Sequence, residues 1–351
     1  MKNILNIEFG FNAMKKLNEH PKVRKSHTIF FVDIFFKNSF LIKEILIKEK
    51  DFLYFVDSTN ELTTTDVNNV LKTIKETNNN YEVVVGIGGG TSLDFAKAIS
   101  NLLTNKGTAE DYQGWDLVKT PGVYKIGIPT LSGTGAESSK TCVMINLQNG
   151  LKLGMNSNHT VYDELILDPS LAKTVPKEQF FYTGMDTYIH CIESLNGSHR
   201  HPLSDAYSNQ ALDLARQVFQ SEDMMSDKNR EKMMVASYFG GVAIANSFVG
   251  VVHPISAGLS VVLGIHHCEA NCITMTAMEE FYPAEYNEFM KLVEKNQIKL
   301  RRGLCQNLSK KQYDDLFDAS TMHEIPLKNA LGLDFKKILT KEKVIELYKK
   351  M

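Results

Sequence analysis

The stretch YEVVVGIGGGTSLDFAKAIS, residues 81–100, decides how the first half of the chain is built. Its opening run of valines reads as a strand, and that strand delivers Gly88, Gly89 and Gly90 into a turn. A helix is predicted from about Thr91 or Ser92. Glycines let a backbone approach a diphosphate closely, and a helix N-terminus offers unpaired N–H groups at the positive end of its dipole. No Lys-Ser/Thr pair follows the glycines, so the turn is not a P-loop. The G-x-G-x-x-G fingerprint also fails, because Thr91 stands at its third glycine and the turn follows the third predicted strand, not the first. A tight strand-to-helix turn needing positive φ angles is the competing reading.

Working outward, strand and helix signals alternate. HTIFFVDIFF (27–36) and DFLYFVDS (51–58) read as strands, with helix-like LIKEILIKEK (41–50) between them. TTTDVNNVLKTIKETNNN (63–80) opens on a Thr/Asp cap signal and continues as an amphipathic helix, and KIGIPT (125–130) reads as a further strand. This alternation predicts a parallel sheet covered on both faces. LILDPSLAKTVP (165–176) reads as a boundary, after which strand signals nearly vanish and helical ones take over. The expected fold is an α/β nucleotide-type domain over 1–175 followed by an all-helical domain over 176–351. Ligands in such sheets sit at the carboxyl ends of strands. There lie Asp33, whose carboxylate would accept hydrogen bonds from a ribose and repel a 2′-phosphate, and the loop PTLSGTGAESS (129–139). Asp33 favours NAD over NADP; the loop could hold a ribose, an adenine edge or a diphosphate, although small polar residues also make ordinary loops.

Composition narrows the class. Of 351 residues, 43% are hydrophobic and 23% charged, and the net charge of −2 gives no electrostatic footprint for nucleic acid. Five cysteines without a CxxC fit a reduced cytoplasmic setting better than a disulfide framework. MKNILNIEFGFNAMKKL (1–17) lacks the apolar core of a signal peptide. Met233 to Cys268 contains no Asp, Glu, Lys or Arg over 36 positions, which raises a membrane span or hairpin. Asn246, His253, Pro254, His266 and His267 would be costly in lipid, so buried helices lining a site are expected instead.

GMDTYIHCIESL (184–195) places Asp186 and His190 four residues apart, on one face of a helix. A polar edge on an ordinary amphipathic helix would do the same. FVGVVHPISAGLSVVLGIHHCEANC (248–272) then adds His253, His266 and His267 within fifteen positions. One carboxylate with three imidazoles makes a compact set for Fe(II) or Zn(II), with a position open for substrate.

Taken in order, GGGTSLD, PTLSGTGAE, GMDTYIHCIES, GVVH and HHCEAN resemble the iron-containing (group III) alcohol dehydrogenase family over essentially the whole chain. The resemblance implies a Rossmann-like, dehydroquinate-synthase-like α/β domain before the all-α one. It implies metal ligands at Asp186, His190, His253 and His267. Nucleotide contacts would fall on Asp33, Gly88, Gly89, Gly90, Thr91, Ser92, Thr130, Ser132 and Thr134, with Lys152 near the nicotinamide. A homodimer is implied as well. Two departures are Ala257, where many relatives carry a histidine, and Cys268, where a glycine is usual. GWDLVKTPGVYKIGIPT, LKLGMNSNHT and GMDTYIHCIESLNGS are further similar to the 3-deoxy-D-manno-octulosonate (Kdo) 8-oxidase branch. That likeness implies oxidation of the terminal alcohol of an eight-carbon acidic sugar to an aldehyde, with an aminotransferase acting next towards an 8-amino sugar for lipopolysaccharide. The loop NGSHRHP (196–202) offers His199 and Arg200 to a substrate carboxylate, or is simply a solvated loop. The rival classes are a dehydroquinate-synthase-like lyase that cycles its hydride internally and a non-catalytic nucleotide-binding protein. A different primary alcohol or aldehyde is the alternative substrate. The motifs leave the final electron acceptor open between NAD and oxygen.

Overall fold

The structure, a computed structural model, describes residues 4–351. Residues 1–3, where the signal-peptide reading begins, lie outside the described residues. The chain divides into two compact units, one ending at Thr174 and the other beginning at Val175.

In the first unit, strands β1 (Asn6–Phe9), β2 (His27–Asp33), β3 (Phe52–Val56), β4 (Tyr81–Gly88), β6 (Tyr124–Pro129) and β9 (Glu164–Leu167) form one parallel sheet in the order β1-β9-β6-β4-β2-β3. A smaller sheet holds β5 (Gly114–Trp115), β7 (Thr141–Asn146) and β8 (Leu151–Asn156). Helices α1 (Pro21–Lys25), α2 (Phe40–Glu44), α3 (Thr64–Glu76) and α4 (Gly90–Thr104) complete the unit. Successive side chains of a strand point to opposite faces. Ile29 and Phe31 of β2 therefore join Val67, Leu71 and Phe95 in one core, while Phe30 and Val32 join Leu17, Val85 and Ile128 in another. Burial on both faces is why these strands read as unbroken apolar runs. Helix α3 begins at a capping box in which Thr63 and Asp66 satisfy each other's backbone N–H.

The structure corrects three readings. Strand β1, exposed along its whole length, precedes the others, so the glycine turn follows the fourth strand and not the third. The hairpin β7–β8 has no counterpart in the predicted elements. The two units divide between Thr174 and Val175, inside LILDPSLAKTVP, and the first residues of that stretch belong to β9, which enters the main sheet between β1 and β6. The helix-like LIKEILIKEK is helical only to Glu44. There Asn18 donates to the Glu44 carbonyl (2.6 Å) and accepts the Leu46 N–H (2.8 Å), replacing the bonds that would continue the helix.

The second unit is helical: α5 (Lys177–Asn196), α6 (Pro202–Phe219), α7 (Asp227–Ser247), α8 (Val252–Leu263), α9 (His267–Met275), α10 (Pro283–Lys295), α11 (Lys310–Thr321), α12 (Glu324–Leu331), α13 (Phe335–Ile338) and α14 (Lys341–Lys350) surround one core. Among the described residues no single helix is long and apolar enough to cross a membrane. The uncharged stretch becomes most of α7 together with α8, a pair bent by 104°.

Candidate functional site

In the first unit, β4 ends at Gly88, and α4 starts at Gly90 with Gly89 as its cap. Gly88 has φ +154°, and a Cβ there would stand 2.5 Å from Ser92 Oγ and 3.0 Å from Asp33 Cβ. The turn is thus closed against Ser92 and the end of β2, which only glycine permits. The second loop folds back on it: the Thr130 N–H donates to the Gly88 carbonyl (3.0 Å), and Leu131 and Thr134 pack on Gly89 and Gly90. Thr91, beside them, is half-buried. Ser92 Oγ and Ser132 Oγ are buried without a hydrogen-bond partner. Buried hydroxyls of that kind are free to bond a ligand or a water, and a helix N-terminus with flanking hydroxyls fits a diphosphate. Asp33 is mostly buried, and its Oδ1 accepts the Phe35 N–H at 3.0 Å. Lys152 lies on β8 with Nζ 3.1 Å from Glu61 Oε1.

In the second unit, α5 carries Asp186 and His190, α8 begins one residue before His253, and His267 opens α9. Asp186, His253 and His267 each offer a donor atom within 4.8 Å of the others. His253 Nε2 is 3.2 Å from Asp186 Oδ1, and His267 Nε2 is 3.6 Å from Oδ2. His190 joins through Asp186, with Nε2 3.6 Å from Oδ1, and its ring stacks on His253 at 4.7 Å between centroids. All four sequence-derived candidates therefore meet at one carboxylate. His266, one residue before, caps α9 from outside this group. Asp186 is fully buried while the His267 side chain is 34% exposed, so solvent reaches the group from the His267 side.

Three neighbours complete the cluster, and of these the motif reading marked only Cys268, as a departure. Glu193 Oε2 bonds His253 Nδ1, and its Oε1 accepts the Val252 N–H. With Nδ1 bonded to Glu193, Nε2 is the His253 ring nitrogen that faces Asp186, and a metal ion would take it there as the neutral imidazole. Asn271 Nδ2 donates to Asp186 Oδ1 (2.7 Å), and Cys268 Sγ donates to Oδ2 (3.5 Å). A signal existed for two of them: Glu193 follows Asp186 by seven residues on the same helical face, and Asn271 follows His267 by four.

Charge is concentrated here. Burial works against ionisation of Asp186, yet His190, His267 and His253 hold its carboxyl well below the usual range. Burial also opposes a charge on His253, but Glu193 and Asp186 outweigh it and raise the imidazole to about 9. His190 goes the other way, pushed down to about 4 chiefly by burial, and its Nδ1 has no partner. A buried carboxylate facing three imidazoles, with one ring nitrogen left over, fits a divalent cation that takes nitrogen and oxygen ligands.

The profile described as iron-containing alcohol dehydrogenase matches residues 6–169, and its C-terminal companion matches residues 180–319. The chain belongs to the iron-containing alcohol dehydrogenase family. Within reach of that family, it is 37% identical to the sulfoacetaldehyde reductase of Bilophila wadsworthia over 193 residues, 53% of this chain and 49% of that protein. It is 31% identical to alcohol dehydrogenase 4 of Saccharomyces cerevisiae (strain S288c) over 212 residues, 60% of this chain and 55% of that protein. The chain thus spans about half the length of the curated relatives it matches. The iron-containing alcohol dehydrogenase fold is shared with a solved 1,3-propanediol oxidoreductase (TM-score 0.83, 19% identity, 99% of both chains). It is also shared with a sulfoacetaldehyde reductase of Bifidobacterium kashiwanohense, solved in complex with NAD+ (TM-score 0.80, 22% identity, 99% of this chain and 98% of that one).

Two sequence candidates are engaged elsewhere. Arg200 bonds Asp205 through Nε and Nη2 and the Leu195 carbonyl through Nη1. His199 bonds Asn329 and packs edge-on against Phe248. Ala257, on α8, puts no proton-carrying side chain four residues after His253.

Proposed function

We propose that this protein is a metal-dependent oxidoreductase that interconverts a primary alcohol and its aldehyde. The observation that carries the reading is the convergence of His190, His253 and His267 on the buried Asp186, with His253 oriented by Glu193. A divalent iron or zinc ion held by these four side chains would supply Lewis-acid polarisation of a substrate oxygen. A nicotinamide dinucleotide held by Asp33, Gly88 to Ser92, Thr130, Ser132, Thr134 and Lys152 would supply the hydride acceptor.

The chain's own residues do the rest. Glu193 fixes the tautomer and tilt of His253, and Asn271 and Cys268 fix the Asp186 carboxylate. Burial of Asp186 keeps bulk water from competing for its oxygens. Ala257 carries no exchangeable proton, so the alcohol proton leaves by a route that does not use position 257.

For the substrate we propose Kdo, oxidised at its C8 hydroxyl, on the strength of the segments similar to that branch. Amination by an aminotransferase would follow. Arg200 could serve the sugar carboxylate only by leaving Asp205. A second reading, reduction of a short anionic aldehyde, is favoured by the 37% identity to a sulfoacetaldehyde reductase.

The test is an assay of Fe(II)- or Zn(II)-loaded protein with Kdo and NAD, following NADH absorbance beside an oxygen electrode, with sulfoacetaldehyde and NADH in parallel. NADH formation with Kdo and not with simple alcohols is the expected result. Oxygen uptake without net NADH would keep the alcohol oxidation and change the acceptor. Turnover of sulfoacetaldehyde alone would move the assignment to the second reading. No turnover of any alcohol or aldehyde would overturn the proposal.

A further inference from the structure

Phe248 has φ 63° and ψ 168°, a backbone conformation that is essentially reserved for glycine. A bulky side chain persists there only if its surroundings impose it. The residue sits in the short turn between α7 and α8, where the chain bends by 104° before presenting His253.

What imposes the turn is visible. Asn329, on α12 and almost fully buried, donates from Nδ2 to the carbonyls of Ser247 (2.9 Å) and Val249 (3.0 Å), the residues flanking Phe248. Its Oδ1 accepts the His199 N–H (2.9 Å), which fixes which end of the amide faces the turn. The far side of the turn is pinned by the metal-site network. The Val251 N–H meets the Tyr282 hydroxyl at 3.3 Å, and the Val252 N–H meets Glu193. A Cβ at Gly250 would stand 3.1 Å from Glu193 Oε1, so the turn runs directly against the carboxylate that holds His253.

We propose that Asn329 is a positioning residue for the metal centre, acting by holding Phe248 in this turn and so fixing where α8 begins and where His253 points. This rests on the metal-centre reading above. It also accounts for the NGSHRHP loop differently from the sequence expectation: the loop is tied to the same residue, the His199 N–H donating to the Asn329 Oδ1 and the Ser198 N–H to the Asn329 backbone carbonyl (2.8 Å).

Asn329→Asp tests this, because it keeps the acceptor for His199 and replaces the donor to the two carbonyls by a second acceptor. Full-length metal-free protein is titrated with Co(II) at pH 8 against a chromophoric chelator, and the visible Co(II) spectrum is recorded. The expected result is an affinity lower by about tenfold or more and a displaced ligand-field band. Adding Phe248→Gly, which lets the backbone adopt the turn unaided, is expected to restore both. Wild-type affinity and an unchanged spectrum in Asn329→Asp would overturn the inference, even if its melting temperature falls. A double variant as weak as the single one would also overturn it. Should Asn329→Asp alone not fold, the folded double variant decides on the same two readouts. Wild-type protein that binds no Co(II) would instead overturn the metal centre itself, and this inference with it.

Discussion

Asp94, in the GGGTSLD motif, stands apart from the residues assigned to nucleotide or metal, yet its environment makes a measurable prediction. Its Oδ2 accepts the Val143 N–H at 2.9 Å, and Lys97 Nζ lies 3.6 Å from Oδ1. Burial outweighs both and raises the carboxyl from 3.8 to about 6, with Glu61 adding to the rise. The folded state therefore keeps a proton that the unfolded state has already released. Stability from this group is complete below about pH 4 and is lost as pH rises towards 6. The difference in unfolding free energy between wild type and Asp94→Asn should fall by on the order of 2–3 kcal/mol across that window and then level off. Chemical denaturation at a series of pH values measures it, and a flat difference would refute the assignment. Residues of this kind were half legible: Asp186, His190, His253 and His267 stood out by type and spacing, whereas Glu193 went unmarked among the polar positions of its helix.

The β4–α4 turn shows an element whose identity and constraint agree. Its strand, glycines and following helix were readable because each obeys a local rule, and Gly88 adds a positive φ that a side chain would strain. Gly88→Ala places a Cβ against Ser92 Oγ. It should cost about 1–3 kcal/mol of stability and abolish binding of NAD, read by thermal denaturation and calorimetric titration. NAD binding at wild-type strength would remove this turn from the nucleotide site. Other elements escaped the sequence for reasons of the same kind. Strand β1 is exposed on both faces and so carries no buried run, and α2 stops where Asn18, from outside the helix, takes its backbone bonds.

Both compact units have cores of their own, and the long uncharged stretch is spent inside the second as the bent pair α7 and α8. Apolar side chains remain on the surface of the first, Phe35, Phe40 and Leu147 among them, and one set forms a row. At the edge of the parallel sheet, β1 and the residue before it expose Leu5, Ile7 and Phe9 at 66%, 41% and 47%. An open edge with an apolar row invites pairing with another chain. We therefore expect the homodimer that the family resemblance implied to involve this edge. Sedimentation should give about twice 39.6 kDa, and Phe9→Lys should shift it towards the monomer. A monomeric wild type would refute the dimer, and an unaffected Phe9→Lys dimer would move the interface elsewhere.

Order and type of the central elements, the glycine turn and the four candidate ligands follow from local patterns, because strand burial, helix capping and i,i+4 spacing are properties of neighbouring residues. The convergence of three helices on Asp186 is not local: His253 and His267 lie 67 and 81 positions beyond it. The sequence resemblance could name those residues but could not orient them. Glu193 became a partner of His253 only when α8 was laid against α5, and Asn329 reached the Phe248 turn only when α12 packed beside it. Hydrogen bonds between residues far apart in the chain leave no periodic trace, since any buried polar side chain is equally suited to them until packing brings a partner within reach.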